Sequence, residues 1–321
     1  METVMLARNA MNTRFELVLH GANPSSLRAA AEEALTEVER IESRLSLFRP
    51  SSEIARVNAL AAREPVRVSP EVFTLLTHAQ RLSVETGGAF DITMAPLLRC
   101  WGLLGKSDGH LPGGEELDAA RSLCGYSLVG LDHANFTVRF ARDGVMLDLG
   151  AIGKGYAVDQ AAGMLREAGV DRALIHGGTS TVYAIGTPPE TDAWKIVIEA
   201  PRTKSHPQAN APLATISLRN ESLSVSAVSG KCFVADGRTL GHVIDPRTGE
   251  PASRALLAAV VLPSGTETDA LSTALLVAGP DGQDALRTLR PEIRTLVVPG
   301  GSQTAPCCQS HGIELHEARG V

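Results

Sequence analysis

The sequence predicts an α+β fold, with a mostly antiparallel sheet and helices packed on it, from three observations. The second half of the chain is a succession of short strand-like runs joined by turns. In the first half, one long segment after Asn23-Pro24 carries apolar residues every three or four positions, and a second is framed by a Ser-Pro start and a Thr-Gly-Gly stop. No repeat at solenoid periods and no low-complexity linker divides the 321 residues. The expectation is one unit over residues 1–298, followed by a poorly ordered tail over 299–321.

Taken in order, Thr13 to His20 (TRFELVLH) alternates and reads as a strand. After Asn23-Pro24, Leu27, Ala31, Leu35, Val38, Ile41 and Leu45 recur at helical spacing, with Glu and Arg between them. Ser69-Pro70-Glu71 starts a second helix, with proline in the first turn where its missing N–H costs nothing, and Thr86-Gly87-Gly88 stops it. Residues 103–127 are rich in Gly and Asp and read as loop. Met146–Leu149 reads as a short strand entering the glycines of LGAIGKG, with a helix from about Tyr156 to Ala168. Further strands are expected at 173–176, 181–186, 194–200, 214–218, 222–227 and 256–262. Helices follow at 268–278 and 281–290, with a last strand at 294–298. The Pro/His/Asn-rich stretch 201–212 reads as an exposed loop and Pro299 onward as a frayed tail.

Composition excludes several function classes. Thirty basic and 36 acidic residues leave a net charge of −6, with no Lys/Arg stripe to neutralise phosphates, so general nucleic-acid binding is not expected. Aromatic residues make up 4%, too few for a base-stacking platform. No uncharged apolar window reaches the length of a membrane span. The opening METVMLARNAMNTRF has neither the basic patch nor the apolar run of a signal peptide, so the chain as given is expected in the cytoplasm, and exported only if a leader precedes it. Cys100, Cys124, Cys232, Cys307 and Cys308 lack CxxC spacing and read as reduced thiols, the last two in an unstructured tail. GxSxG, HxxxH and HExxH are absent, which removes support for a serine hydrolase or a zinc peptidase.

Three runs could carry chemistry. In LDLGAIGKGYAVD (147–159), glycines between a strand and a helix let backbone N–H groups approach an anion, with Lys154 within reach of a phosphate and Asp148 at the strand end. The run reads equally as a Gly-rich turn with a solvated lysine. In TDALSTAL (268–275), Asp269 and Thr273 lie one helical turn apart on one face, a carboxylate and a hydroxyl suited to a hard cation. An acid favoured by the dipole of a helix start accounts for Asp269 as well. In HVIDPRTGEP (242–251), His242 precedes a turn and could relay a proton or simply end a strand. Smaller signals are Phe90-Asp91-Ile92-Thr93, Phe48-Arg49 in a loop, and the tight turn His176-Gly177-Gly178-Thr179.

AMNTRF, LSLFRPSSEIARVN, GGAFDITMAPLLRCWG, LDLGAIGKGYAVD, ALIHGGT, HVIDPRTGEP and TDALSTALLVAG, in this order over residues 10 to 298, resemble the FAD:protein FMN transferases, the ApbE-type flavin transferase family. The resemblance implies a T-fold-like α+β unit. It also implies a Mg²⁺-dependent transfer of FMN from FAD to a threonine or serine hydroxyl of an acceptor flavoprotein, with release of AMP. The acceptor motif it implies is Asp-x-x-Thr/Ser-Gly-Ala-Ser/Thr. By position, Asp148 and Lys154 would contact the flavin nucleotide. The Ala151 carbonyl, Asp269 and Thr273 would hold the metal. Met11, Phe48, Ala89, Phe90, Asp91 and Val243 would line the FAD site, and His242 would handle the proton of the acceptor hydroxyl. The chain departs from the family at Asn12, where Gly is usual, at Thr179, where Asp or Asn is usual, and at Ser272, where some members carry an acid. Asp245-Pro-Arg-Thr248-Gly249 begins like the acceptor motif but continues Glu250-Pro251, so Thr248 is not expected to be flavinylated. A metal-dependent FAD pyrophosphatase and a non-catalytic FAD-binding protein are the alternative readings. The resemblance carries no expectation of oligomeric state.

Overall fold

The computed structural model describes residues 1–104, 110–201, 212–228, 232–235, 238–301 and 308–316. Strands β1 (Glu2–Ala10) and β2 (Thr13–Gly21) form a hairpin, followed by helices α1 (Pro24–Leu45) and α2 (Glu53–Leu60). Strand β3 (Val66–Arg67) and helices α3 (Pro70–Glu85), α4 (Ala95–Cys100) and α5 (Gly114–Ser122) come next. Strands β4 (Val129–Asp132) and β5 (Thr137–Phe140) lead to α6 (Gly153–Glu167). Then follow β6 (Ala173–Gly177), β7 (Thr181–Ile185), β8 (Trp194–Glu199), β9 (Pro212–Leu218), β10 (Glu221–Ala227), β11 (Cys232–Ala235) and β12 (Arg238–Gly241). The chain closes with β13 (Ala255–Leu262), α7 (Gly265–Ala278), α8 (Gly282–Leu289), β14 (Arg294–Pro299) and β15 (Gln309–His311).

Eight strands form the main sheet in the order β1-β2-β6-β7-β10-β13-β14-β15, and every pairing is antiparallel, as the α+β class requires. Helices α1, α6 and α7 cover one face, and the β8–β9 hairpin covers part of the other. This explains the unbroken apolar run of β13. Ala258, Val260 and Leu262 enter the core under the helices, while Leu257, Ala259 and Val261 enter the core under the hairpin. A third cluster, built on Met94, Leu97, Trp101, Phe233 and Ile244, holds α4 and α5 against β11 and β12.

Four local expectations are corrected. Met146–Leu149 is extended but is not a strand: its backbone bonds to the Asn58 side chain at Leu147 (2.7 and 3.0 Å) and to the Ile92 carbonyl at Asp148 (2.7 Å) instead of to a ladder. The supposed loop 103–127 contains α5, which buries no residue fully and so shows little apolar period; residues 105–109 lie outside the described residues. The first turn of α6 starts at Gly153, earlier than its glycines suggest. The tail is not frayed throughout, since β15 pairs with β14, Ile313 is buried and Cys308 packs on the hairpin core. Cys307 and most of the 201–212 stretch lie outside the described residues. No helix among the described residues is long and apolar enough to cross a membrane.

Trp194 closes the hairpin layer: its side chain is buried, its indole N–H donates to the Ile185 carbonyl at 3.2 Å, and its ring stacks on His20. Trp194→Ala should therefore cost about 3 kcal/mol of stability, read from the midpoint of denaturant unfolding.

Candidate active site

Two helix starts meet at the centre of the site. Gly155 in α6 and Gly265 in α7 approach so closely that a β-carbon on Gly155 would strike the Gly265 carbonyl oxygen and the Asp269 side chain. A β-carbon on Gly265 would meet Val158 and Asp159. The glycine after Lys154 is thus required by packing.

Across this crossing each helix gives a carboxylate to the other. Asp159 of α6 accepts hydrogen bonds from the Gly265 N–H (2.6 Å), the Thr266 N–H (2.8 Å) and the hydroxyls of Thr266 (2.7 Å) and Ser264 (3.0 Å). Asp269 of α7 accepts one from the Gly155 N–H at 2.9 Å, in the first turn of α6. Each carboxylate satisfies N–H groups that a helix start leaves without an internal partner, and each meets the positive end of the other's dipole. The second oxygen of Asp269 faces Lys154 Nζ at 3.4 Å, and the same ammonium donates to the Gly150 carbonyl at 3.3 Å.

Thr273, one turn beyond Asp269, is half-buried; its hydroxyl donates to the Asp269 carbonyl and lies 3.3 Å from Ser226 Oγ. It ends a seam of hydroxyls between α7 and β10. Ser222 and Ser224 meet Thr268 at 3.2 and 2.9 Å, and Ser226 meets Ser272 at 2.9 Å. Ser272 also donates to the Asp269 carbonyl. Among the described residues no three His, Cys, Asp or Glu side chains gather tightly enough to hold a metal. Asp269 with hydroxyl and carbonyl oxygens around it is an all-oxygen donor set of low charge, which fits a hard, partly hydrated cation such as Mg²⁺.

The other expected residues divide into two groups. Met11 and Asn12 are the two central residues of the β1–β2 turn, both with positive φ (52° and 57°), the geometry of a type I′ hairpin. Asparagine adopts that conformation readily, so Asn12 suits the turn. Gly178 of the β6–β7 turn packs against Thr13, which brings the exposed Thr179 beside this hairpin. Phe48 is 55% exposed, so its ring is available to stack. His242 and Val243 are half-buried; Val243 packs on the helical core, and Gly241 touches Val228, two residues past Ser226. Ala151, in the turn before α6, also packs on that core.

Ala89 and Phe90, by contrast, bury their side chains in the core and can offer a ligand only backbone. Asp91 uses both oxygens within the protein, accepting from Thr93 N–H (2.7 Å), Thr93 hydroxyl (2.6 Å) and Tyr126 N–H (2.8 Å). Burial pushes its carboxyl up, against the pull of those donors. Asp148 behaves likewise: burial pushes it up, while the Gly150 N–H at 2.6 Å and the charge of Lys154 pull it back.

Sequence reasoning assigned no role to Asp159, Asn58 or Glu267. Glu267, two residues before Asp269, binds Arg290 through two hydrogen bonds of 2.9 Å and Arg81 at 2.8 Å, with His78 at 3.1 Å. Burial alone would raise its carboxyl, but His78 and Arg290 hold it down at about 2. This network ties α3 to the first turn of α7. A mid-helix acid with no lysine one turn away was the available signal for Asp159.

Two outcomes follow. Asp159→Ala should lower stability by about 2–3 kcal/mol, seen in chemical denaturation, because it strands four donors at the start of α7. Asp148 has a folded-state value above its ordinary 3.8, so the native chain holds its proton more tightly than the unfolded one. Its burial therefore costs stability as pH rises from about 4 through the raised value. Asp148→Asn, which keeps an acceptor for Gly150, should gain on the parent across that window in unfolding curves taken at pH 4 and pH 7.

A family model described as the ApbE family matches residues 11–297. The FAD:protein FMN transferase of Escherichia coli strain K12 is 28% identical over 285 residues, covering 87% of this chain and 80% of that protein. The protein of the same name from Treponema pallidum strain Nichols is 30% identical over 288 residues, covering 85% and 78%. The crystal structure of the Pseudomonas stutzeri flavinyl transferase ApbE, apo form, superposes with a TM-score of 0.83 at 29% identity, over 97% of this chain and 95% of that one. With a family model matching most of its length and a fold that superposes over nearly all of it, the chain belongs to the ApbE family.

Proposed function

We propose that this protein is an FAD:protein FMN transferase that joins the FMN half of FAD to a threonine or serine hydroxyl of an acceptor flavoprotein, with Mg²⁺ bound and AMP released. The observation that carries the reading is the pairing of Asp269 with Lys154 at the α6–α7 crossing, with Thr273 one turn further along α7, in a chain of this family.

Asp269, Thr273 and the turn containing Ala151 would hold the cation. When bound, Mg²⁺ supplies charge that offsets the negative charge growing on the phosphoryl oxygens. Lys154 provides a second positive charge on a flexible stem, suited to a diphosphate. In the transfer, the acceptor oxygen forms a bond to the FMN phosphorus while the bond from that phosphorus to the bridging oxygen breaks. The bridging oxygen leaves on AMP. His242 takes the hydroxyl proton, a role that suits an imidazole, which can accept a proton on one ring nitrogen. Met11 and the exposed ring of Phe48 offer apolar surface for the isoalloxazine. The strained φ of Met11 is of the kind that concentrates at ligand-binding turns.

The test supplies FAD, Mg²⁺ and a domain carrying the Asp-x-x-Thr/Ser-Gly-Ala-Ser/Thr motif. Mass spectrometry should find FMN on the motif's hydroxyl residue, AMP in solution and no FMN on Thr248. FMN found only free in solution would make the protein a pyrophosphatase instead. Asp269→Ala should lower the rate of adduct formation at least 100-fold.

A further inference from the structure

We infer that Lys154 is a built-in placeholder: its ammonium neutralises Asp269 until a divalent cation arrives, and is then displaced towards the diphosphate. This inference rests on the Mg²⁺- and FAD-binding reading of the same site and concerns how that site assembles.

The geometry supplies the argument. Asp269 has a side chain only 5% exposed, and a cation beside a carboxylate so enclosed offsets the cost of taking its charge out of water. One of its oxygens is committed to the Gly155 N–H, a neutral donor that supplies no net charge. The other faces Lys154 Nζ at 3.4 Å, and that nitrogen also sits 3.3 Å from the Gly150 carbonyl oxygen. The ammonium thus bridges a carboxylate oxygen and a backbone carbonyl oxygen, the kinds of oxygen donor that a hard cation takes. A divalent ion at Asp269 competes with the lysine for that oxygen and repels it at contact distance.

The displaced side chain has room to move. Lys154 is 23% exposed and stands between Gly153 and Gly155, which have no side chains to block its swing. Its four-carbon stem carries a compact point charge without the fixed fork of a guanidinium, so it can change partners. Released from Asp269, it is a free cation beside the bound one, and an anionic diphosphate gains from both. Metal and dinucleotide therefore bind with positive coupling, and by linkage each strengthens the other by the same factor.

Calorimetric titration of Mn²⁺ into the full chain without nucleotide tests this, comparing the parent with Lys154→Met, Lys154→Arg and Asp269→Asn. Lys154→Met should bind Mn²⁺ about tenfold more tightly, because its competitor is gone. Lys154→Arg keeps the charge and should not tighten. FAD affinity, followed by flavin fluorescence with and without Mg²⁺, should depend on the metal in the parent and much less in Lys154→Met. Circular dichroism checks that each variant is folded; if Lys154→Met is not, Lys154→Gln takes its place. Unchanged or weaker Mn²⁺ binding by the charge-removing variant, with binding lost in Asp269→Asn, overturns the placeholder and leaves the metal site standing. Undiminished binding by Asp269→Asn overturns the metal site itself.

Discussion

The crossing of α6 and α7 at Gly155 and Gly265 is the constraint on which the site depends. Two backbones can come this close only without β-carbons, and two helix starts can be buried together only if their free N–H groups find acceptors. The glycines meet the first need, and Asp159 and Asp269 meet the second by reaching across in opposite directions. One of the pair is spent almost wholly on capping, with four donors on it. The other keeps an oxygen turned towards Lys154, and that difference is what lets Asp269 serve in the proposed function.

The same helix is steadied from two other sides. The Glu267 cluster joins it to α3 and Arg290, and the hydroxyl seam joins it to β10. Polar contacts of this kind fix rotation and register where apolar packing would tolerate several arrangements. Asp269 and Thr273 therefore sit on an element whose pitch is set by hydrogen bonds at both ends. Asp269, Thr273 and Lys154 are held on helices, while the Met11–Asn12 turn and the Phe48 loop, which the proposed function assigns to the flavin, lie on hairpin and loop.

Much of this was legible in the sequence. Periodicity marked α1, the Pro and Gly signals marked α3, and β6, β7, β10, β13 and β14 were read to within a residue or two. The pairing of Asp269 with Thr273 was read from their spacing, and Lys154 from its glycines. What stayed hidden had local reasons. The strand β1 buries few of its residues, so its alternation is faint, and α5 buries none fully. Asn58 and Asp159 act on segments 89 and about 106 residues away, and nothing in a local window marks such a partner. Phe90 and Asp91 are expected at the FAD site from the resemblance alone; the structure places the Phe90 side chain in the core and both Asp91 oxygens on Thr93 and Tyr126.

The two-sided burial of β13 carries a consequence for how the sheet finds its alignment. A strand that is apolar at every position gains about as much from either of two registers, since sliding by one residue merely exchanges one oily face for another. The discrimination must come from its neighbour. In β10, Ser222, Ser224 and Ser226 point to the helices, while Leu223, Val225 and Ala227 point to the hairpin. Shifting that strand by one would drive three hydroxyls into a core of leucine, valine and tryptophan and take from Thr268 and Ser272 their partners on β10. The modest row of serines thus acts as the sheet's alignment key, and the carboxylate chemistry one layer above inherits its accuracy.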